Sequence, residues 1–278
     1  MLDFIDLFIQ PPGDFFYHTF VILAFSAGLA LAYGQRTKHP QSRTASVYGA
    51  ALAGALSALV ILVGGALYIL YTSQPADSIL PPLERAINIA LLLLITWAFL
   101  IADDEVWTGL PTQILLGAVT ITTIAYIFTG VQWTQAAGTM DFNLTRYGLL
   151  WTFGSMIVAL CGTVLMVVYF RRIIDAPLKF LFFVLILSGS AASLWRMANG
   201  NVIGDYSPFV RLSFFLASPI VPFVIYRKII YGYELAFDAI DSAQPAAATP
   251  NRTVTAPAVT TQEQPGPLSQ SKIQSTSS

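Results

Sequence analysis

Seven stretches of predominantly apolar residues, at roughly 15–34, 46–71, 80–102, 110–132, 147–170, 178–198 and 208–230, dominate the sequence. About 20 such residues carry an α-helix through the hydrocarbon core of a bilayer. A backbone inside that core finds no water, so its polar groups must bond within the segment or in a closed barrel. Only 10% of the residues are charged and 55% are hydrophobic, against about 25% charged in an average soluble domain. A soluble fold of 278 residues could not cover its surface with so few charges. The expected fold is therefore an all-α integral membrane protein, a bundle of seven transmembrane helices in the inner (plasma) membrane. The sixth run is the weakest, diluted by Ser188, Gly189, Ser190 and Ser193.

Orientation follows from the basic residues in and beside the short connections. Arg36, Lys38, Arg43, Arg171, Arg172, Lys179, Arg227 and Lys228 fall on one side, and Arg85, Arg146, Arg196 and Arg211 on the other. Eight against four puts the N-terminus outside and the C-terminus in the cytoplasm. The expected division is an extracytoplasmic segment at 1–14, a seven-helix domain at 15–230 and a cytoplasmic tail at 231–278. Residues 241–278 hold five prolines and no aromatic residue, a composition that cannot offset the entropy of ordering and is expected to be disordered. The N-terminus has neither a positive n-region nor a small-residue cleavage site, so no removable signal peptide is expected. The two halves of the membrane region show no repeat, which argues against a transporter built from inverted repeats.

Several chemistries lack their residues. Fourteen basic against fifteen acidic residues, net −1, leave no electrostatic footprint for nucleic acid. The single cysteine, Cys161, rules out an intrachain disulfide and a cysteine-based metal cluster. Two histidines are few for a haem or metal site, and no cofactor is expected. Neither a zinc-protease motif nor a phosphate-binding loop occurs. For Ser188-Gly189-Ser190 the natural base would be His18, five spans away and without a recognisable orienting acid, and no lysine lies deep in the last span for a retinal Schiff base. The expectation is a protein without catalysis of its own.

The ionisable residues within spans therefore carry the functional question. Glu84 and Arg85 follow Pro81 and Pro82 at the start of the third span, and Asn88 shares a helix face with both. They form either a capped helix start with interfacial charges or the floor of an outward-facing pocket. His18 lies one turn past Pro12-Gly13-Asp14, as a packed residue or as a ligand contact. Arg211, after Pro208 at the start of the seventh span, either snorkels outward or meets Glu84 across the bundle. Pro219 and Pro222 should kink that span. Asp103, Asp104 and Glu105 read as a solvated helix end. Trp107, Trp133, Trp151, Trp195, Tyr33 and Tyr147 sit near span ends, as an interfacial aromatic belt would.

The strings PGDFFYH (12–18), PPLERAINIALLLLITWAFL (81–100), Phe142-Asn143 and DYSPFVRLSFFLASPIVPFVIYRK (205–228) occur in this order. Together they resemble the seven-span N-terminal membrane region of bacterial sensor histidine kinases and related GAF- or PAS-containing proteins, especially of green non-sulfur bacteria. The resemblance covers roughly 10–230, and PPLER followed by WAF is its most specific part. It implies a membrane-embedded sensor input module with motif residues Pro12, Gly13, Tyr17, His18, Pro81, Pro82, Glu84, Arg85, Trp97, Ala98, Phe99, Asn143, Tyr206, Pro208 and Arg211. Such proteins continue into cytoplasmic sensing and phosphotransfer domains, whereas this chain runs about 48 residues past its last span. The expectation is a module that signals through a separate cytoplasmic protein, either an orphan or one part of a split gene.

With the N-terminus outside, every motif residue except Trp97-Ala98-Phe99 falls at the outer beginning of span one, three, five or seven. His18, Glu84, Arg85, Asn88, Asn143, Tyr206 and Arg211 would then ring one mouth, as a recognition surface or as a network fixing helix register. Glu84 and Arg211 are expected in contact, directly or through a water, with His18 or Asn88 nearby. The expected function is a sensor or receptor-like module. The alternatives are a structural or assembly subunit of a membrane complex and, behind it, a small-solute carrier.

Overall fold

Each apolar run folds as a helix, and the first, second and fourth helices extend past their runs at both ends. In the computed structural model, which describes residues 13–73, 75, 78–102, 109–200 and 204–229, the helices are α1 (Gly13–Lys38), α2 (Arg43–Thr72), α3 (Leu80–Ile101), α4 (Gly109–Ala136), α5 (Arg146–Val168) and α6 (Ala176–Ala198). The seventh, α7, runs over Pro208–Ala217 and, after a break at Ser218 and Pro219, continues to Ile229. All seven are long and apolar enough to cross a membrane, and no strand occurs among the described residues. The chain is a multi-pass membrane protein. The apolar runs mark the hydrocarbon core, but nothing stops a helix there, so α1 carries on through Gln35, Arg36, Thr37 and Lys38.

Helix starts follow local rules. Ser42 accepts a hydrogen bond from the Ala45 N–H (3.3 Å) ahead of α2, and Thr145 does the same for Gly148 (3.1 Å) ahead of α5. Prolines occupy the first turns of α3, α6 and α7, where a missing N–H costs nothing. In α7 the predicted proline kink is present as the break at Ser218-Pro219, because prolines 219 and 222 remove two helical donors.

Helices α1 to α4 pack in chain order, as do α5 to α7; α5 packs on α3, and α1 returns to α7. In α3, 67% of the most apolar stretch is buried, against 17% in α4. The main core joins Phe25, Tyr48, Phe99, Phe182, Phe183 and Phe214, with Phe99, Phe182 and Phe183 meeting edge to face. Elsewhere large apolar side chains face outward; Leu70 is 78% exposed and Val60 69%. Such a surface suits lipid, not water. A smaller cluster holds Trp133, Trp151 and Phe142. This corrects the aromatic belt for two members: Trp133 and Trp151 are buried, and the Trp151 indole donates to Thr129 Oγ1 at 3.2 Å. Trp195 and Tyr33 are exposed, as a belt requires.

The described residues lie in one compact unit, Met1–Leu235. Pro12, the acidic cluster 103–105, Trp107 and the tail 231–278 fall outside the described residues. Gly13 and Asp14 belong to α1, so Asp14 is part of a helix and not of a preceding segment.

Candidate functional site

At the end of the bundle where α1, α3, α5 and α7 begin, here called the mouth, an ionic network occupies the interior. Arg211 on α7 is 1% exposed and Glu84 on α3 is 3% exposed. The guanidinium donates from Nε to Glu84 Oε1 at 2.8 Å and from Nη2 to Oε2 at 2.5 Å. Two parallel charge-assisted bonds are the strong form of this pairing. Nη1 lies 2.6 Å from Asp14 Oδ1 on α1. The plane stacks 4.2 Å from the Tyr206 ring centroid and 5.5 Å from that of Tyr17. Arg211 does not snorkel, and Glu84 and Arg85 are buried within the protein with it.

Arg85 is one residue further round α3 and turns to the loops. Its Nη2 donates to Asn143 Oδ1 at 2.7 Å. The Asn143 amide donates in turn to the carbonyls of Gly204 (2.8 Å) and Tyr206 (3.0 Å). A reciprocal clamp closes beside it. Asp205 Oδ1 accepts from the Phe142 N–H at 2.5 Å, and Asp141 Oδ2 accepts from the Gly204 N–H at 3.1 Å. Ser193 and Ser207 share a buried hydrogen bond below. The α4–α5 and α6–α7 loops are thus locked together and tied to α3, and Tyr206 lies against Arg211. Gly148 makes this possible, because a Cβ there would run into the Phe142 carbonyl.

All seven residues singled out in the sequence lie in this region. Six share its contacts directly: His18, Glu84, Arg85, Asn143, Tyr206 and Arg211. His18 Nε2 is 3.3 Å from Asp14 Oδ1, and its side chain is partly exposed. Asn88 is buried one turn below Glu84, and its Nδ2 has no hydrogen-bond partner among the described residues. Sequence reasoning missed Asp14, Asp141 and Asp205. The i, i+4 spacing of Asp14 and His18 was the available signal for the first; the other two depend on loop pairing that no local pattern reports.

A cavity of about 360 Å³ opens beside the network, between α1, α2 and α3. Ile22, Leu59, Leu62 and Val63 wall it, and Asp14, His18, Glu84, Tyr206 and Arg211 form its polar end. Arg211 has all three nitrogens engaged. Asp14 is 43% exposed and, with His18, offers the accessible polar surface. An apolar cavity with a few convergent polar groups is what a small-molecule site requires. Comparison with family models, curated proteins and solved structures finds no match.

Proposed function

We propose that this protein is a membrane-embedded sensor or receptor-like module. It takes its ligand at the polar end of the α1–α2–α3 cavity and signals to a cytoplasmic partner, with the N-terminus outside and the mouth facing outward. The observation that carries this reading is the sharing of one cation, Arg211, between the cavity's accessible carboxylate on α1 and a buried carboxylate on α3. A ligand that engages Asp14 or His18 competes for that carboxylate and so changes the force on α7. The break at Ser218-Pro219 gives α7 a point at which to respond. The resemblance to sensor-kinase membrane regions supports the same role, and the basic-residue asymmetry supports the orientation. One observation favours the rival, structural reading: most of the network's buried groups already satisfy one another, as a register-fixing device would.

Purification from native membranes followed by native mass spectrometry separates the two. A sensor retains a small molecule that Asp14→Asn and His18→Ala lose without unfolding, together with a signalling protein. Stoichiometric respiratory or photosynthetic subunits, with no retained molecule, would establish the structural role. For orientation, Thr139→Cys in a Cys161→Ala background should react with an impermeant thiol reagent in intact cells and Ser42→Cys should not; the reverse pattern inverts the topology.

A further inference from the structure

The opposite end of the bundle holds a second cavity that the mouth network does not touch. The α4 helix is buried only at Thr129 and Trp133, near its C-terminal end, where Trp151 and Phe142 meet it. At its other end the Trp97 indole of α3 donates to Thr112 Oγ1 at 3.1 Å. Pinned to α5 at one end and to α3 at the other, α4 leaves a wedge of about 350 Å³ between α4 and α5, backed by α3. That volume falls in the range of about 300–1,000 Å³ typical of small-molecule sites.

The chemistry of the walls narrows the occupant. Leu93, Leu100, Ile114, Ile157 and Leu165 dominate the lining. The wall hydroxyl of Thr96 donates to its own helix, at Leu92 O (2.6 Å), and Trp97 and Thr112 bond each other. The body of the wedge therefore suits hydrocarbon, since a polar occupant would lose its hydration without replacement bonds. Charge enters at one point. Arg172, just past the end of α5, is the single charged residue in the lining and is exposed. It has no side-chain partner among the described residues. Three other cations at this end are engaged: Lys179 with Phe99 O, Lys228 with Ala102 O and Arg227 with Asp175; Arg36, Lys38 and Arg171 are not in the lining of the wedge.

We propose that the α4–α5 wedge is a binding site for an anionic phospholipid of the surrounding leaflet, one acyl chain in the wedge and the phosphate on Arg172. A guanidinium matches phosphate geometry, and basic pockets between transmembrane helices bind anionic headgroups. The site is independent of the sensor reading.

Cys161 lines the wedge and is the protein's single cysteine, so it reports occupancy without engineering. The full chain is placed in nanodiscs of phosphatidylcholine, or of phosphatidylcholine with part replaced by phosphatidylglycerol, and alkylation by N-ethylmaleimide is followed by intact mass. The expected result is alkylation slowed severalfold by phosphatidylglycerol in the wild type and in Arg171→Gln, with no slowing in Arg172→Gln. Native mass spectra should show retained phosphatidylglycerol lost only in Arg172→Gln. Equal rates in both lipids for the wild type would overturn the proposal. So would slowing that persists in Arg172→Gln, which reports surface pH alone, or loss of slowing in both arginine variants, which reports general charge.

Discussion

Arg211 commits Nε, Nη1 and Nη2 to two carboxylates inside the protein, and that fixes how its loss will be felt. Removing one partner of a buried pair leaves the other charge uncompensated, which costs more than the pair itself contributes. Glu84→Gln and Arg211→Gln should each destabilise the protein, and the double variant by less than their sum. Thermal or denaturant unfolding in detergent should give a coupling of about 0.5–3 kcal/mol, the range for residues sharing a network; additivity would show that the two act separately. A second residue-scale test uses close packing. A Cβ at Gly189 would strike the Phe209 carbonyl and Ser213 on α7. Gly189→Ala should therefore cost about 1–3 kcal/mol by overpacking, whereas Gly117→Ala, with open space around it, should leave the midpoint unchanged or raise it.

At the scale of the helix, α3 is secured at both ends by side chains from other elements. Its start holds Glu84 and Arg85. At its end the Ala102 carbonyl accepts from Lys228 Nζ (2.9 Å) and from Thr44 Oγ1 (3.1 Å). The last carbonyls of a helix lack intrahelical donors and carry its negative partial charge, so a lysine from α7 and a hydroxyl from α2 are complementary there. Either donor suffices to satisfy the oxygen. Lys228→Met and Thr44→Val should each have a small effect, and together more than their sum, about 1–3 kcal/mol, because the double variant leaves a buried carbonyl unpaired. Melting of the four proteins checks this. Coupling here should be opposite in sign to that of Glu84 and Arg211.

Across the whole molecule, stability should be graded from α3 outward. This helix packs on α2, α4 and α5 and is bonded by side chains to α6 and α7. The first half of α4 has no buried residue. Local opening scales with how few buried contacts a segment makes. In detergent, hydrogen exchange should therefore proceed first in the N-terminal half of α4 and last in the middle of α3. Protection of α4 equal to that of α3 would mean that the α4–α5 wedge is closed in solution.

The number of helices, and the prolines that start or break them, were readable from 20-residue windows. Transfer of an apolar segment into hydrocarbon is a local property, and so is a missing N–H. Glu84 and Arg211 were readable as partners because each is an ionisable group one turn below a proline, at matching depth. Which face each helix presents was not. Lipid and protein core are equally apolar, so hydrophobic periodicity loses its inside-outside meaning in a bilayer. Trp133 and Trp151 thus read as interfacial yet pack inside, and Asp14 read as a flanking residue until α7 brought Arg211 against it from 197 positions away. The clamp of Asp141 and Asp205 likewise exists only once two loops meet. Hydropathy dictates that these segments enter the membrane, but pairing among buried polar groups dictates how they are arranged there. That pairing is a property of side chains far apart in the chain, and it is decided by packing.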